Sequence, residues 1–210
     1  MNSPIPKDQF LILDNGATLH YTEVGQCRSD RPSIICLHGG GPGASGYSNY
    51  KYNLPAFAEA GYHVIAPDLL GFGLSDKPED RDYTSALHVE CMRELCASLG
   101  ITQYVPVGNS LGGSVSLELY FADPTAVPAL VLMAPGGLVD PATFWGTTEG
   151  GVALANFASK RPFSETAFRD VLELLVHDDA VIDDAILRER FPIAESQPAK
   201  VFTSVSIQST

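Results

Sequence analysis

The chain opens with an alternating stretch, Phe10 to Val24, interrupted by Asp14-Asn15-Gly16. Alternation of period two broken by a turn triplet predicts a β-hairpin. A short apolar run, Ser33 to Leu37, ends in a cluster of glycines and reads as a buried strand. Asn53 to Ala60 is expected to be helical and to stop at Gly61, and Tyr62 to Pro67 to be a second buried strand. Met92, Leu95, Cys96 and Leu99 recur at helical spacing within Ser85 to Leu99, with Gly100 as the C-terminal stop. Tyr104 to Val107 reads as a strand, Leu111 to Phe121 as a helix and Ala129 to Met133 as a further strand.

Strands alternating with helices call for crossover connections, hence an α/β fold whose mostly parallel sheet carries helices on both faces. Beyond Asp140 the strand pattern ceases. Phe168, Val171, Leu172 and Leu175 form a helical stripe with Ser164 as N-cap, Asp183 or Asp184 starts another helix running to Phe191, and Pro198 suits the first turn of a third. The division expected is therefore residues 1–140 as an α/β core and residues 141–210 as a helical cap.

Composition narrows the function classes. Hydrophobic residues make up 45% of the 210, enough for a packed core, and charged residues only 18%. A formal net charge of -12 opposes binding to nucleic acid, which needs clustered Lys and Arg. Cys27, Cys36, Cys91 and Cys96 form no CxxC pair, and Cys36 reads as a small buried hydrophobe. The first ten residues hold two prolines and no apolar segment of a secretory signal. Ala126 to Val139, the longest apolar stretch, is broken by Pro128, Pro135 and two glycines, so it is not expected to span a bilayer. The expectation is a cytoplasmic protein with a small-molecule substrate, with no membrane or nucleic-acid partner; self-association as a homo-oligomer is left open.

The strongest chemical signal is Gly108-Asn109-Ser110-Leu111-Gly112-Gly113 between the strand at Tyr104 and the helix at Leu111. A serine on a sharp strand-to-helix turn projects its hydroxyl above the sheet, and the flanking glycines permit the close backbone approach that such a turn demands. The free N–H groups of the following helix favour developing negative charge. The bland alternative is a glycine-rich turn with an incidental serine.

A second glycine run, His38-Gly39-Gly40-Gly41-Pro42-Gly43, follows the first buried strand. Acyl chemistry needs backbone donors aimed at an oxyanion, and glycine lets the backbone come close. Gly40 or Gly41 and Leu111 are the expected donors, against the alternative of a plain flexible linker. His38 is expected to fix this turn by a structural hydrogen bond rather than to act in catalysis.

The segment from His38 through Asn49 to Tyr50, the turn around Asn109 and Ser110, and Met133-Ala134-Pro135-Gly136-Gly137-Leu138 together resemble the meta-cleavage product hydrolases of bacterial aromatic degradation. Those are α/β-hydrolases with a cap. The resemblance runs from about Phe10 onward. It implies cleavage of the C5–C6 bond of ring-opened 2-hydroxy-6-oxo-dienoates by water, without metal or organic cofactor. By position it implies Ser110 as nucleophile, Gly40, Gly41 and Leu111 as oxyanion hole, and Asn49, Asn109 and Arg190 as substrate contacts. Residue chemistry agrees, since a dienoate needs a cation and amide donors, and Arg matches a carboxylate bidentately. Arg190 beside Arg188 and Glu189 reads equally well as a solvated helix charge, and Asn109 as a turn former.

A serine hydrolase also needs a base and an orienting acid, in this fold in the order Ser, acid, His. After Ser110 the one histidine is His177, in the cap, and Asp140 is a poor candidate acid. The resemblance therefore implies an acid and a histidine beyond residue 210, together with two more strands, and a chain truncated after its cap. Ala129 to Met133 would then be an apolar edge with an aggregation risk, so the 210 residues alone are expected to be poorly soluble or inactive. A generic carboxylesterase, an aminopeptidase-like hydrolase and an inactive fragment are the competing readings. Ser110 argues against dehalogenases and epoxide hydrolases, which use Asp at that position.

Overall fold

A computed structural model describes residues 5–138, 148–159, 162 and 164–203. Six strands form one sheet: β1 (Lys7–Ile12), β2 (Thr18–Val24), β3 (Ser33–Leu37), β4 (Val64–Pro67), β5 (Tyr104–Asn109) and β6 (Val131–Met133), in the order β1-β2-β4-β3-β5-β6. The β1–β2 hairpin pairs antiparallel and β2 meets β4 antiparallel, whereas β4, β3, β5 and β6 run parallel. The hairpin begins three residues earlier than its alternating pattern, and Gly16 supplies the positive φ of 82° that its turn requires.

Successive residues of the central strands face opposite sides. Ile35, Leu37 and Ile65 pack against α3 (Ser85–Ser98) and α4 (Leu111–Ala122), through Met92, Leu95, Val115 and Leu119. Ile34, Cys36, Val64 and Ala66 pack on the other side against α1 (Gly46–Tyr50) and α2 (Leu54–Glu59), through Tyr50, Leu54 and Ala58. Helices thus cover both faces, as the alternation of elements implies. The α1 turn is an element that the hydrophobic pattern does not reveal. It is written instead in a capping box, in which Ser45 and Ser48 exchange side-chain and backbone bonds.

The remaining helices are α5 (Glu149–Ser159), α6 (Glu165–Glu173), a 3-10 turn (Asp179–Val181), α7 (Asp184–Ser196) and α8 (Lys200–Thr203). Ser164 caps α6 by accepting from the Ala167 N–H at 3.2 Å, and Asp183 caps α7 by accepting from Ile186 at 2.8 Å. Phe168, Val171 and Leu172 are buried with Phe157, Ile182 and Leu187 in a cluster of their own. Leu175 departs from the stripe: α6 ends at Glu173, so Leu175 falls in the following turn and is exposed. Helix α7 runs five residues past Phe191 despite Pro192. At α8 the chain returns to the main core, where Val201 is fully buried against the Gly71–Tyr83 region. The boundary expected at residue 140 lies outside the described residues.

Candidate active site

Ser110 sits at the end of β5 as the N-cap of α4, with φ 51° and ψ -111°, and is exposed. Positive φ is costly for a residue with a β-carbon, by roughly 1–3 kcal/mol, and the neighbouring contacts hold it there. Ser110 N–H donates to the Met133 carbonyl at 3.0 Å, and the Ser110 carbonyl accepts from Gly113 and Gly136, both at 2.9 Å. A β-carbon at Gly108 would collide with the Gly112 carbonyl, and one at Gly112 with the Leu37 carbonyl. These two glycines are therefore needed for close approach, as their spacing around the serine predicts.

The glycine turn lies alongside. Gly112 N–H donates to the His38 carbonyl at 3.1 Å, tying α4 to the turn. A β-carbon at Gly39 would lie 3.5 Å from Ser110 Cβ, and one at Gly40 would lie 3.3 Å from the Leu111 side chain. Gly41 is turned toward Arg190 instead. The N–H groups of Gly40, Gly41 and Leu111 donate to nothing among the described residues. Unpaired amides around an exposed hydroxyl at a helix N-terminus form a setting that stabilises an anion.

His38 is fully buried, with Nδ1 2.8 Å from the Gly39 carbonyl and Nε2 accepting the Leu69 N–H at 3.0 Å. Those partners assign the proton to Nδ1, and burial lowers the pKa, so the ring stays neutral. This is the structural bond expected of it.

The structure also joins the two asparagines. Asn49 Oδ1 accepts from Asn109 Nδ2 and from the Gly39 N–H, each at 3.3 Å. Arg190 reaches the same turn from α7: Nη2 donates to the Pro42 carbonyl at 2.8 Å and Nε to the Gly43 carbonyl at 3.3 Å. Burial draws its pKa down, with Glu189 opposing. Glu189 itself pairs with Lys51 at 2.6 Å, so no carboxylate among the described residues pairs with Arg190. Ser110, Gly40, Gly41, Leu111, Asn49, Asn109 and Arg190 thus converge on one turn. The solvated reading of Arg190 does not hold, because its guanidinium is half-buried against backbone carbonyls.

The family described as "alpha/beta hydrolase fold" matches residues 32–185. The chain belongs to the α/β-hydrolase family. It is 33% identical over 180 residues to a 2-hydroxy-6-oxo-6-phenylhexa-2,4-dienoate hydrolase of Comamonas testosteroni, covering 86% of this chain and 61% of that protein. A 2-hydroxy-6-oxononadienedioate/2-hydroxy-6-oxononatrienedioate hydrolase of Paraburkholderia phymatum is 33% identical over 181 residues, covering 85% and 61%. A solved meta-cleavage product hydrolase of Pseudomonas fluorescens IP01, complexed with acetates, superposes with a TM-score of 0.76 at 30% identity, over 96% of this chain and 68% of that one. The chain spans about 61% of the length of the curated relatives it matches.

None of the five histidines of this α/β-hydrolase bonds to Ser110 Oγ. His20 Nδ1 is 2.8 Å from Asp68, and His63 bridges Ser33 and Glu23. His88 is buried without a hydrogen-bond partner, its pKa pushed down to about 3 by burial and by His38. His177 is exposed on the turn after α6. Asp140 lies outside the described residues. Among the described residues no group of three or more His, Cys, Asp and Glu is placed to hold a metal ion, and no helix is long and apolar enough to cross a membrane.

Sequence reasoning missed two residues that shape the candidate site. Gln197, after α7, takes the Gly43 N–H, a contact across 154 positions with no local signal. Ala134 adopts φ 42° in the loop that braces Ser110 from below. The Pro-Gly-Gly that follows it marks an irregular turn but not which residue is strained.

Proposed function

We propose that this protein is a serine-type hydrolase cleaving the C–C bond of ring-opened aromatic 2-hydroxy-6-oxo-dienoates. The observation that carries the reading is the exposed Ser110 hydroxyl at a φ of 51°, flanked by unpaired amides of Gly40 and Leu111. Ser110 is the nucleophile toward the C6 carbonyl, and the N–H groups of Leu111 with Gly40 and Gly41 receive the oxyanion. In the 2-oxo tautomer the C2 hydroxyl proton has moved to C5. Breaking C5–C6 there leaves the acyl group on Ser110 Oγ, for water to release as the acid. The electron pair left on C5 spreads through C3=C4 to the C2 oxygen at the carboxylate end. Arg190, with no carboxylate partner among the described residues, and the linked amides of Asn49 and Asn109 are the groups suited to that end. The likeness to hydrolases named for such dienoates supports this substrate class. The Ser110 proton requires a base that the five histidines, as placed, do not supply.

We further propose residues 1–140 as the catalytic core and 141–210 as the cap, a small-molecule substrate as the partner, and a cytoplasmic location in keeping with four free cysteines. The unpartnered Ser110 hydroxyl favours one second reading, a chain that binds dienoate without turning it over. Incubating the protein with a coloured dienoate and following its visible absorbance tests both, alongside p-nitrophenyl butyrate and Ser110→Ala. Dienoate loss that Ser110→Ala abolishes supports C–C cleavage by Ser110. Ester turnover with the dienoate untouched means a carboxylesterase instead. Dienoate binding with neither turnover nor fluorophosphonate labelling of Ser110 means the inactive form.

A further inference from the structure

The peptide groups at Pro42 and Gly43 are taken up by the cap. Gly43 N–H donates to Gln197 Oε1 at 2.8 Å, and the carbonyls of Pro42 and Gly43 accept from Arg190 at 2.8 and 3.3 Å. The Arg190 carbonyl lies so close to Gly43 that any β-carbon there would collide with it. Gly43 also has φ +64°, so the turn depends on glycine for both conformation and contact. On the near side, Ala44 N–H closes the turn on the Gly41 carbonyl at 3.1 Å. The free donors, Gly40 and Gly41, lie between these fixings and the Gly39 N–H, which donates to Asn49 Oδ1 at 3.3 Å.

Gln197 is fully buried, and its Nε2 has no partner. Its carboxamide orientation is not arbitrary, because only the oxygen can face an N–H donor. Burying an unpaired amide NH2 is unfavourable, and an apolar residue would avoid it. The feature that offsets that cost is the bond to Gly43.

We propose that Gln197 is a positioning residue: by accepting the Gly43 N–H it makes the aim of the Gly40 and Gly41 amides depend on the cap being seated. This rests on the reading of that turn as the oxyanion cradle. A donor that drifts from the oxyanion weakens the transition state more than the bound substrate, so the effect belongs in kcat.

The test compares wild type, Gln197→Leu, which removes the acceptor, and Gln197→Glu, which keeps one. Each is assayed for dienoate turnover and for amide hydrogen exchange in a peptide covering residues 39–44. Gln197→Leu is expected to lower kcat roughly 10- to 100-fold with KM changed less than about twofold, and to speed exchange in that peptide while leaving β5 protected. Gln197→Glu is expected to recover most of both. If Gln197→Leu fails to fold, Gln197→Met carries the same comparison. Wild-type kcat and exchange in the apolar variant overturn the proposal, as does Gln197→Glu behaving like Gln197→Leu. If wild type turns over no dienoate, the hydrolase reading fails by itself, and the exchange arm still decides whether Gln197 holds the turn.

Discussion

Replacing Asp68 by Asn tests how the loops beneath the site are held. The Asp68 carboxylate is buried and accepts three bonds, from Gly46 N–H at 2.7 Å, Leu74 N–H at 2.7 Å and His20 Nδ1 at 2.8 Å. Gly46 is the first residue of α1, which carries Asn49, so the carboxylate anchors part of the candidate site to the sheet. An asparagine keeps the shape but turns one oxygen into a donor, leaving one buried N–H unpaired at a cost of roughly 1–3 kcal/mol. The loss of charge assistance to the other bonds adds about 1 kcal/mol. A total of about 3 kcal/mol in a chain of this size lowers Tm by about 6–12 °C.

The pH dependence gives the test its sign. For Asp68, burial is the largest single influence and acts to raise the pKa, but the His20 bond, the charges of His38 and His20 and the Leu74 N–H bond together outweigh it and the pKa is lowered. Its contribution is complete above the ordinary value of 3.8 and fades as pH falls through the lowered value. For His20, burial acts to lower the pKa, but the bond and charge of Asp68, with Asp8, raise it. Its contribution is complete below 6.5 and fades as pH rises through the raised value. The gap between wild type and Asp68→Asn should therefore be widest between 3.8 and 6.5 and narrow toward pH 9. Thermal unfolding followed by circular dichroism across that range measures it. A Tm shift below about 2 °C at pH 6, under 1 kcal/mol on the same scale, or a gap that widens with rising pH, would refute the reasoning.

Other expectations follow from single contacts. Gly112→Ala drives a β-carbon into the Leu37 carbonyl, with no flexible side chain to yield. It should cost roughly 3 kcal/mol or more, and an unchanged denaturant midpoint would show the elbow to be looser than described. Cys36, Cys91 and Cys96 are buried, with thiol pKa values raised to about 12 by burial, whereas Cys27 is exposed. A thiol reagent at pH 8 should titrate one cysteine in the native protein and four in denaturant; a second fast native thiol would contradict that burial. Lys51→Met breaks the contact with Glu189 that links α1 to α7, across a largely solvent-shielded pair. Its effect should be about 1 kcal/mol or less, and a much larger fall in Tm would mark the pair as a principal anchor of α7.

Much of this was legible from local order along the chain. Period-two and helical spacing located the strands and helices, because side-chain direction depends only on near neighbours in sequence. The glycines around Ser110 and the run after β3 announced close backbone approach, since no other residue tolerates it. The α1 turn escaped because its signal is two serines rather than an apolar stripe, and Leu175 was misplaced because a helix end, not a period, decided its exposure. The tertiary structure alone decided that Asn49 meets Asn109 across 60 positions and that Gly43 meets Gln197 across 154. It alone turned Arg190 from a surface charge into a donor to the glycine turn. The physical reason is that such pairs carry no mutual signal in the chain. Hydrogen-bonding capacity is written in each residue, but its partner is chosen only when packing brings two buried polar groups from distant helices and turns within reach and leaves neither with water.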